Sequence, residues 1–212
     1  MLYFLTHYVR NAMSIAQSVS STVSQQPLGE PFAVSQFLKL GSRSAVDKAL
    51  SRLTKQGTIE RIAQGVYMRP KKNRFVGTVK PEASKVVQTI AEANGETLQI
   101  HGAEAARRFQ LSTQVPTQPV YYTSGSSRSV TIGKLKVKLL HVTQRKLQLA
   151  GKKSGLALSA LWYLGKEGIQ HGAIEQVCSR LSSEELRELL SANLPAWLSS
   201  ALHQYSAEKA LA

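Results

Sequence analysis

The stretch Ser42-Arg-Ser-Ala-Val-Asp-Lys-Ala-Leu-Ser-Arg-Leu-Thr-Lys-Gln56 decides the fold of this 212-residue chain. Val46, Leu50 and Leu53 recur at i, i+4 and i+7 with Ala45 and Ala49 beside them, the spacing of one buried stripe on an α-helix. Ser44-Ala-Val-Asp47 fits the hydroxyl-x-x-acid signature of a helix start, which casts Asp47 as a capping partner. Gly57 supplies the stop. At about 100° per residue the face opposite the stripe carries Ser44, Lys48, Ser51 and Lys55, with Arg43 and Arg52 on the flanks.

Upstream, Ala12–Val23 places Ile15, Val19 and Val23 four residues apart and predicts a first helix. Residues 25–31 are turn-rich. Ala33–Leu40 predicts a short second helix with Phe37 and Leu38 turned inward, closed by Gly41. Downstream, Thr58–Ile62 and Val66–Arg69 are β-prone runs joined by Ala63-Gln-Gly65, a hairpin with glycine where a positive φ is required. Pro70-Lys-Lys-Asn-Arg74 follows as a basic exit segment.

Three helices and a β-hairpin are the order of a winged helix-turn-helix, in which the third helix presents its outer face to the major groove. The expected fold class is α+β: a winged helix-turn-helix over residues 12–78, then a mixed α/β domain over 79–212 with a helical C-terminal part. In that second region helices are expected over 81–94, 103–109, 156–165, 169–180, 184–192 and 196–205, with strands over 97–100, 120–123, 129–132 and 135–142.

Charge supports the same reading. The chain carries 27 Lys and Arg against 13 Asp and Glu, a net +14. Residues 30–80 hold eleven of the bases and three of the acids, more than half of the excess in about a quarter of the chain. A basic concentration of this kind is the electrostatic footprint of nucleic-acid binding. The expected DNA-contacting residues are Ser42, Arg43, Ser44, Lys48, Ser51, Arg52 and Lys55 on the helix, Arg61, Gln64 and Arg69 on the wing, and Lys71, Lys72 and Arg74 beyond it. Arg43 is placed for a bidentate guanine contact. Each also has a plainer reading: Lys48 and Lys55 as a solvated face, Ser42 and Ser44 as caps.

Other chemistries find little support. His7, His101, His141, His171 and His203 are scattered without paired ligand spacing, so no metal or cofactor is expected. Gly151-Lys-Lys-Ser154 lacks the upstream glycine of a phosphate loop, Lys146 standing there. Ser124-Gly-Ser-Ser-Arg128 reads as a polar turn. No nucleophile–base or carboxylate pair stands out, and Trp162 and Tyr163 read as core; an enzyme is not expected. The alternative binding mode is RNA or ribosome association through Lys134, Lys136 and Lys138 with Tyr121 and Tyr122 as stacking groups; a solvated strand face is the plainer and preferred reading of those lysines. A single cysteine, Cys178, fits a reducing cytoplasm. The apolar start Met1–Leu5 is too short for a secretory or spanning segment, and Met13 stands as an alternative start.

Across Phe37-Leu-x-Leu-Gly-Ser-Arg-x-Ala-Val-Asp-Lys-Ala-Leu-Ser-Arg-Leu53, Gly57-Thr-Ile-x-Arg61 and Gly65-Val-Tyr67, the chain resembles the AbiEi-type antitoxins, transcriptional regulators of type IV toxin–antitoxin systems. The resemblance continues through Gly102-Ala-Glu-Ala-Ala106, Leu111-Ser-Thr-Gln-Val-Pro116 and Tyr122-Thr-Ser-Gly-Ser-Ser-Arg128 to Ile132-Gly133, and covers roughly residues 12–165. It implies an autorepressor that binds inverted repeats in its own promoter through Arg43, Lys48 and Arg52. It also implies a C-terminal domain serving antitoxicity and a nucleotidyltransferase-like toxin as functional partner.

Overall fold

A computed structural model describes residues 13–75, 77–169 and 171–211. The Met1–Leu5 run, His7 and Ala12 lie outside them. The fold is α+β, and it divides into two compact units, 1–89 and 90–212. The division falls inside one helix, α3 (Ala83–Ala93), rather than at the composition change near Val79.

The first unit begins with α1 (Ile15–Gln25), closed by a reciprocal capping box in which the Ser14 hydroxyl accepts from the Gln17 N–H and the Gln17 side chain accepts from the Ser14 N–H. Val19 and Val23 are fully buried. Ile15 leans on the next segment so closely that a Cβ at Gly41 would stand 2.6 Å from its Cδ1, which explains the glycine there.

Where the sequence suggests the end of a turn at Pro31 and the start of a helix at Ala33, Pro31–Ala33 forms a strand, β1. The 33–40 segment is a 3-10 helix (Val34–Leu40) rather than an α-helix. With three residues per turn, Val34, Phe37 and Leu40 align on the inner side. Leu38 therefore points outward, 39% exposed, against the expectation that it turns in.

Helix α2 (Arg43–Lys55) buries Val46, Ala49, Leu50 and Leu53 as their spacing predicts. Its cap is Ser42, whose hydroxyl accepts from the Ala45 N–H at 3.4 Å, so the Ser44–Asp47 capping signature is not used. The helix ends in a Schellman motif: Thr58 N–H donates to Leu53 O and Gly57 N–H to Thr54 O, both 3.0 Å, with Gly57 at φ +72°.

Two strands follow, β2 (Glu60–Ala63) and β3 (Val66–Met68), turned by Gln64 and Gly65, the latter at φ +71°. They join β1 in an antiparallel sheet of order β1-β3-β2, with Phe32 opposite Tyr67. The core of the unit gathers Val19, Val23, Phe32, Phe37, Val46, Leu50, Leu53 and Ile59. The expected exit segment is a second hairpin: β4 (Lys71–Asn73) pairs antiparallel with β5 (Gly77–Val79).

The second unit holds a four-stranded sheet of order β6-β7-β9-β8, built from β6 (Leu98–Ile100), β7 (Val120–Thr123), β8 (Arg128–Ile132) and β9 (Leu135–His141). Only the β7–β9 pair in it is parallel. Helices α4 (Gly102–Arg108), α5 (Lys153–Gly168), α6 (His171–Cys178), α7 (Ser183–Ser191) and α8 (Ala196–Leu211) build a helical core around Ala105, Leu158, Leu161, Val177, Leu189, Leu198 and Leu202. Trp162 lies at the edge of that core. Tyr163 is 49% exposed, so its assignment to the interior fails. Among the described residues no helix is long and apolar enough to cross a membrane.

Candidate nucleic-acid interface

Helix α2 presents one polar face. Ser42, Arg43, Ser44, Lys48, Ser51, Arg52 and Lys55 are all exposed, while the opposite face is buried in the core. Asp47, Lys48, Ser51, Arg52 and Lys55 line one shallow depression along it. The helix is thus fixed from behind and carries flexible cations and hydroxyls in front.

Arg43 is engaged within this face. Its Nε donates to both oxygens of Asp47, at 3.2 and 3.0 Å, an i,i+4 pair on the open surface. Asp47 therefore serves as the partner of Arg43 and not as a cap. The other two acids of the 30–80 segment are also engaged: Glu30 with Lys85 at 2.7 Å, and Glu60 with Lys80. Among the described residues, Lys48, Arg52, Lys55, Lys71, Lys72 and Arg74 have no carboxylate within 4 Å. These open cations stand on α2 and on the β4–β5 hairpin; Lys39 and Arg61 likewise have no carboxylate within 4 Å among the described residues.

The β2–β3 hairpin carries Arg61 and Gln64, both exposed; the Arg61 Nε points back to the Ala63 carbonyl at 3.4 Å. Arg69 has a different setting. Its Nη1 donates to the carbonyls of Ser24 and Gln26, both at 2.7 Å, and its own carbonyl accepts from the Gly29 N–H at 2.8 Å. A guanidinium on the free carbonyls at the C-terminal end of α1 satisfies orphan acceptors and opposes the helix dipole. Nothing in the local sequence signals this tie, because its partners are more than forty residues away. Lys71, Lys72 and Arg74 are exposed on the β4–β5 hairpin, together with Phe75, which no pattern in the sequence singles out.

Two of the weaker candidates have structural partners. Lys152 and Ser154 hold Glu188 of α7 at 2.5 and 2.7 Å, keeping that carboxyl below its ordinary range, and Lys153 donates to the Arg180 carbonyl. The Ser124–Arg128 turn is organised on Glu96, which accepts from Arg128 Nη2 at 2.7 Å and from the Thr123 hydroxyl at 2.8 Å. Lys136 and Lys138 stand on an exposed strand face opposite Thr131 and Ser129. Tyr121 and Tyr122 are both partly buried, the Tyr122 ring lying against His101 with centroids 4.7 Å apart. No cluster of three or more metal-ligating side chains occurs among the described residues. Cys178 is buried, which pushes its thiol up to about 11.

Residues 18–189, spanning both units, match a described protein family. The chain belongs to DUF6088, a family of unknown function. Comparison with curated proteins finds no match.

Proposed function

We propose that the first unit of this DUF6088 chain is a winged helix-turn-helix that binds duplex DNA, with α2 as the reading helix and the β2–β3 hairpin as the wing. The order helix, strand, helix, helix, strand, strand, with a β1-β3-β2 sheet, is what that assignment requires. The single observation that carries it is α2 itself: a thirteen-residue helix with one face buried and the other lined by Lys48, Ser51, Arg52 and Lys55. Cations on a rigid helix serve phosphate and base-edge contact alike. The Arg43 fork keeps its Nη groups for a base edge while Asp47 fixes its orientation.

On the resemblance to AbiEi-type antitoxins, the protein acts in the cytoplasm as an autorepressor at inverted repeats of its own promoter. Its second unit then serves antitoxicity toward a nucleotidyltransferase-like toxin. The test of DNA binding is a gel shift with duplexes tiling the DNA upstream of the gene. Arg43→Ala is expected to cost about 1–3 kcal/mol and relax sequence preference. Lys71→Ala is expected to weaken all sequences alike and reduce the salt slope by about one. Unchanged binding in both variants removes the assignment of α2. The antitoxin role is tested separately, by whether co-expression rescues growth from the adjacent gene product.

A further inference from the structure

The β4–β5 hairpin is made without a core. All of Lys71, Lys72, Asn73, Gly77 and Thr78 are exposed, and only Val79 at its base is partly covered. Three residue pairs form it, Lys71 with Val79, Lys72 with Thr78 and Asn73 with Gly77. A two-stranded ribbon this short has little stability of its own, so burial does not account for its side chains. Both faces are polar. Among the hairpin's described residues the one large apolar side chain is Phe75, which sits in the connecting loop and is 88% exposed. Its backbone is held there: the Asn73 Oδ1 accepts the Phe75 N–H at 2.8 Å, an Asx turn that presents the ring outward. The Arg74 guanidinium stands 6.0 Å from the ring centroid.

We infer that this hairpin is a second DNA-contacting arm, in which Lys71, Lys72 and Arg74 hold phosphates and Phe75 stacks as a wedge at a base step of the duplex. The inference rests on the reading of the first unit as a duplex-DNA binder and adds to it a deformation site that the helix does not supply. Charge complementarity selects a polyanion, because these cations have no carboxylate within 4 Å among the described residues. The ring selects stacked bases over bare phosphate: an aromatic face finds its partner in an unstacked base, and basic residues beside apolar wedges are how minor-groove binders kink DNA. Pyrimidine–purine steps are the preferred place, since they unstack most readily.

The experiment uses the full chain and 30-base-pair duplexes tiling the upstream DNA, with 2-aminopurine at each TA and CA step. Wild-type protein is expected to raise the 2-aminopurine fluorescence. Phe75→Ala should abolish that rise and lower affinity roughly 5- to 100-fold, while Phe75→Trp retains both. The ring lies in solvent, so the melting temperature of Phe75→Ala should match wild type. The double variant Lys48→Ala/Arg52→Ala should weaken binding yet keep the fluorescence rise once saturated. If Phe75→Ala binds and unstacks like wild type while the α2 variant loses affinity, the arm is overturned and the reading helix stands. Unchanged binding in both variants overturns both. If Phe75→Ala instead loses binding to phosphatidylserine vesicles with DNA binding intact, the hairpin is a membrane contact and the arm is again overturned.

Discussion

The Arg43 guanidinium is tied to the Asp47 carboxylate one turn further along α2, Nε to Oδ2 at 3.0 Å, on the face that the buried stripe leaves to solvent. The pair is exposed on both sides, so it adds at most about 1 kcal/mol to stability. Its larger effect is on the field of the face: Asp47 is the one acid among Lys48, Ser51, Arg52 and Lys55.

Asp47→Asn should therefore raise affinity for nonspecific duplex several-fold and steepen its salt dependence, because a repulsive charge near phosphates is removed. Discrimination between upstream and random DNA should fall as Arg43 loses its fixed orientation. Competition gel shifts at two salt concentrations measure both. No change in either sets Arg43 and Asp47 outside the contact surface.

Arg69 separates stability from binding. Arg69→Met keeps the apolar stem and removes the hydrogen bonds to the Ser24 and Gln26 carbonyls. With the side chain partly exposed, a loss of about 1–2 kcal/mol is expected, seen as a lower urea midpoint. Lys72→Met on the neighbouring hairpin should leave the midpoint unmoved. Equal midpoints in the two variants would falsify the bracing role of Arg69.

Adjacent positions on α2 should behave oppositely. Leu50 is fully buried among Val19, Phe37 and Ile59, so Leu50→Ala should cost about 2–5 kcal/mol. Ser51 lies in the surface depression, and Ser51→Ala should stay within about 0.5 kcal/mol while reducing DNA affinity. Chemical denaturation and a gel shift on the same samples give both readings.

His101 predicts a pH dependence. Its Nδ1 accepts the Ala103 N–H at 3.2 Å and caps α4. Burial, and then the charge of Lys146, hold the imidazole below its ordinary 6.5. The unfolded chain thus takes up the proton first as pH falls. The stability tied to neutral His101 is fully present above 6.5 and is lost below it, toward the lowered folded value. Between pH 7.5 and 5.5 the melting temperature of wild type should fall more than that of His101→Asn, which keeps a capping side chain without the titration. Glu104 and Glu188, both held below the ordinary 4.5 by their cationic neighbours, titrate outside that window. Parallel curves for the two proteins would remove His101 as the cause.

Cys178 should resist iodoacetamide at pH 8 in the folded protein and react after denaturation, because its buried thiol ionises only near 11. Alkylation followed by mass spectrometry, with and without urea, decides this.

Much of this chain is local and therefore legible. The stripe Val46, Leu50, Leu53 defines α2, Gly57 and Gly65 mark turns whose positive φ values the structure displays, and the alternation around Val137 and Leu139 defines β9. Periodicity and glycine chemistry act within a few residues, so the amino-acid order suffices for them. Tertiary structure decided the rest through partners distant in the chain. Pro31–Ala33 becomes a strand only because β3 offers it a ladder, and Leu38 turns outward because the 3-10 path sets a three-residue repeat. The cap falls on Ser42 rather than Ser44 because the chain enters the helix two residues earlier than the signature suggests. Arg69 is spent on α1, forty-three residues from Gln26, while Lys71, Lys72 and Phe75 rise on a hairpin that their own sequence does not announce. The sequence by itself determined which helix faces solvent with its charges. Only the fold decided that Arg69 and Lys80 are taken up while Lys71 and Lys72 are left open, because those ties depend on what a distant segment brings within hydrogen-bonding reach.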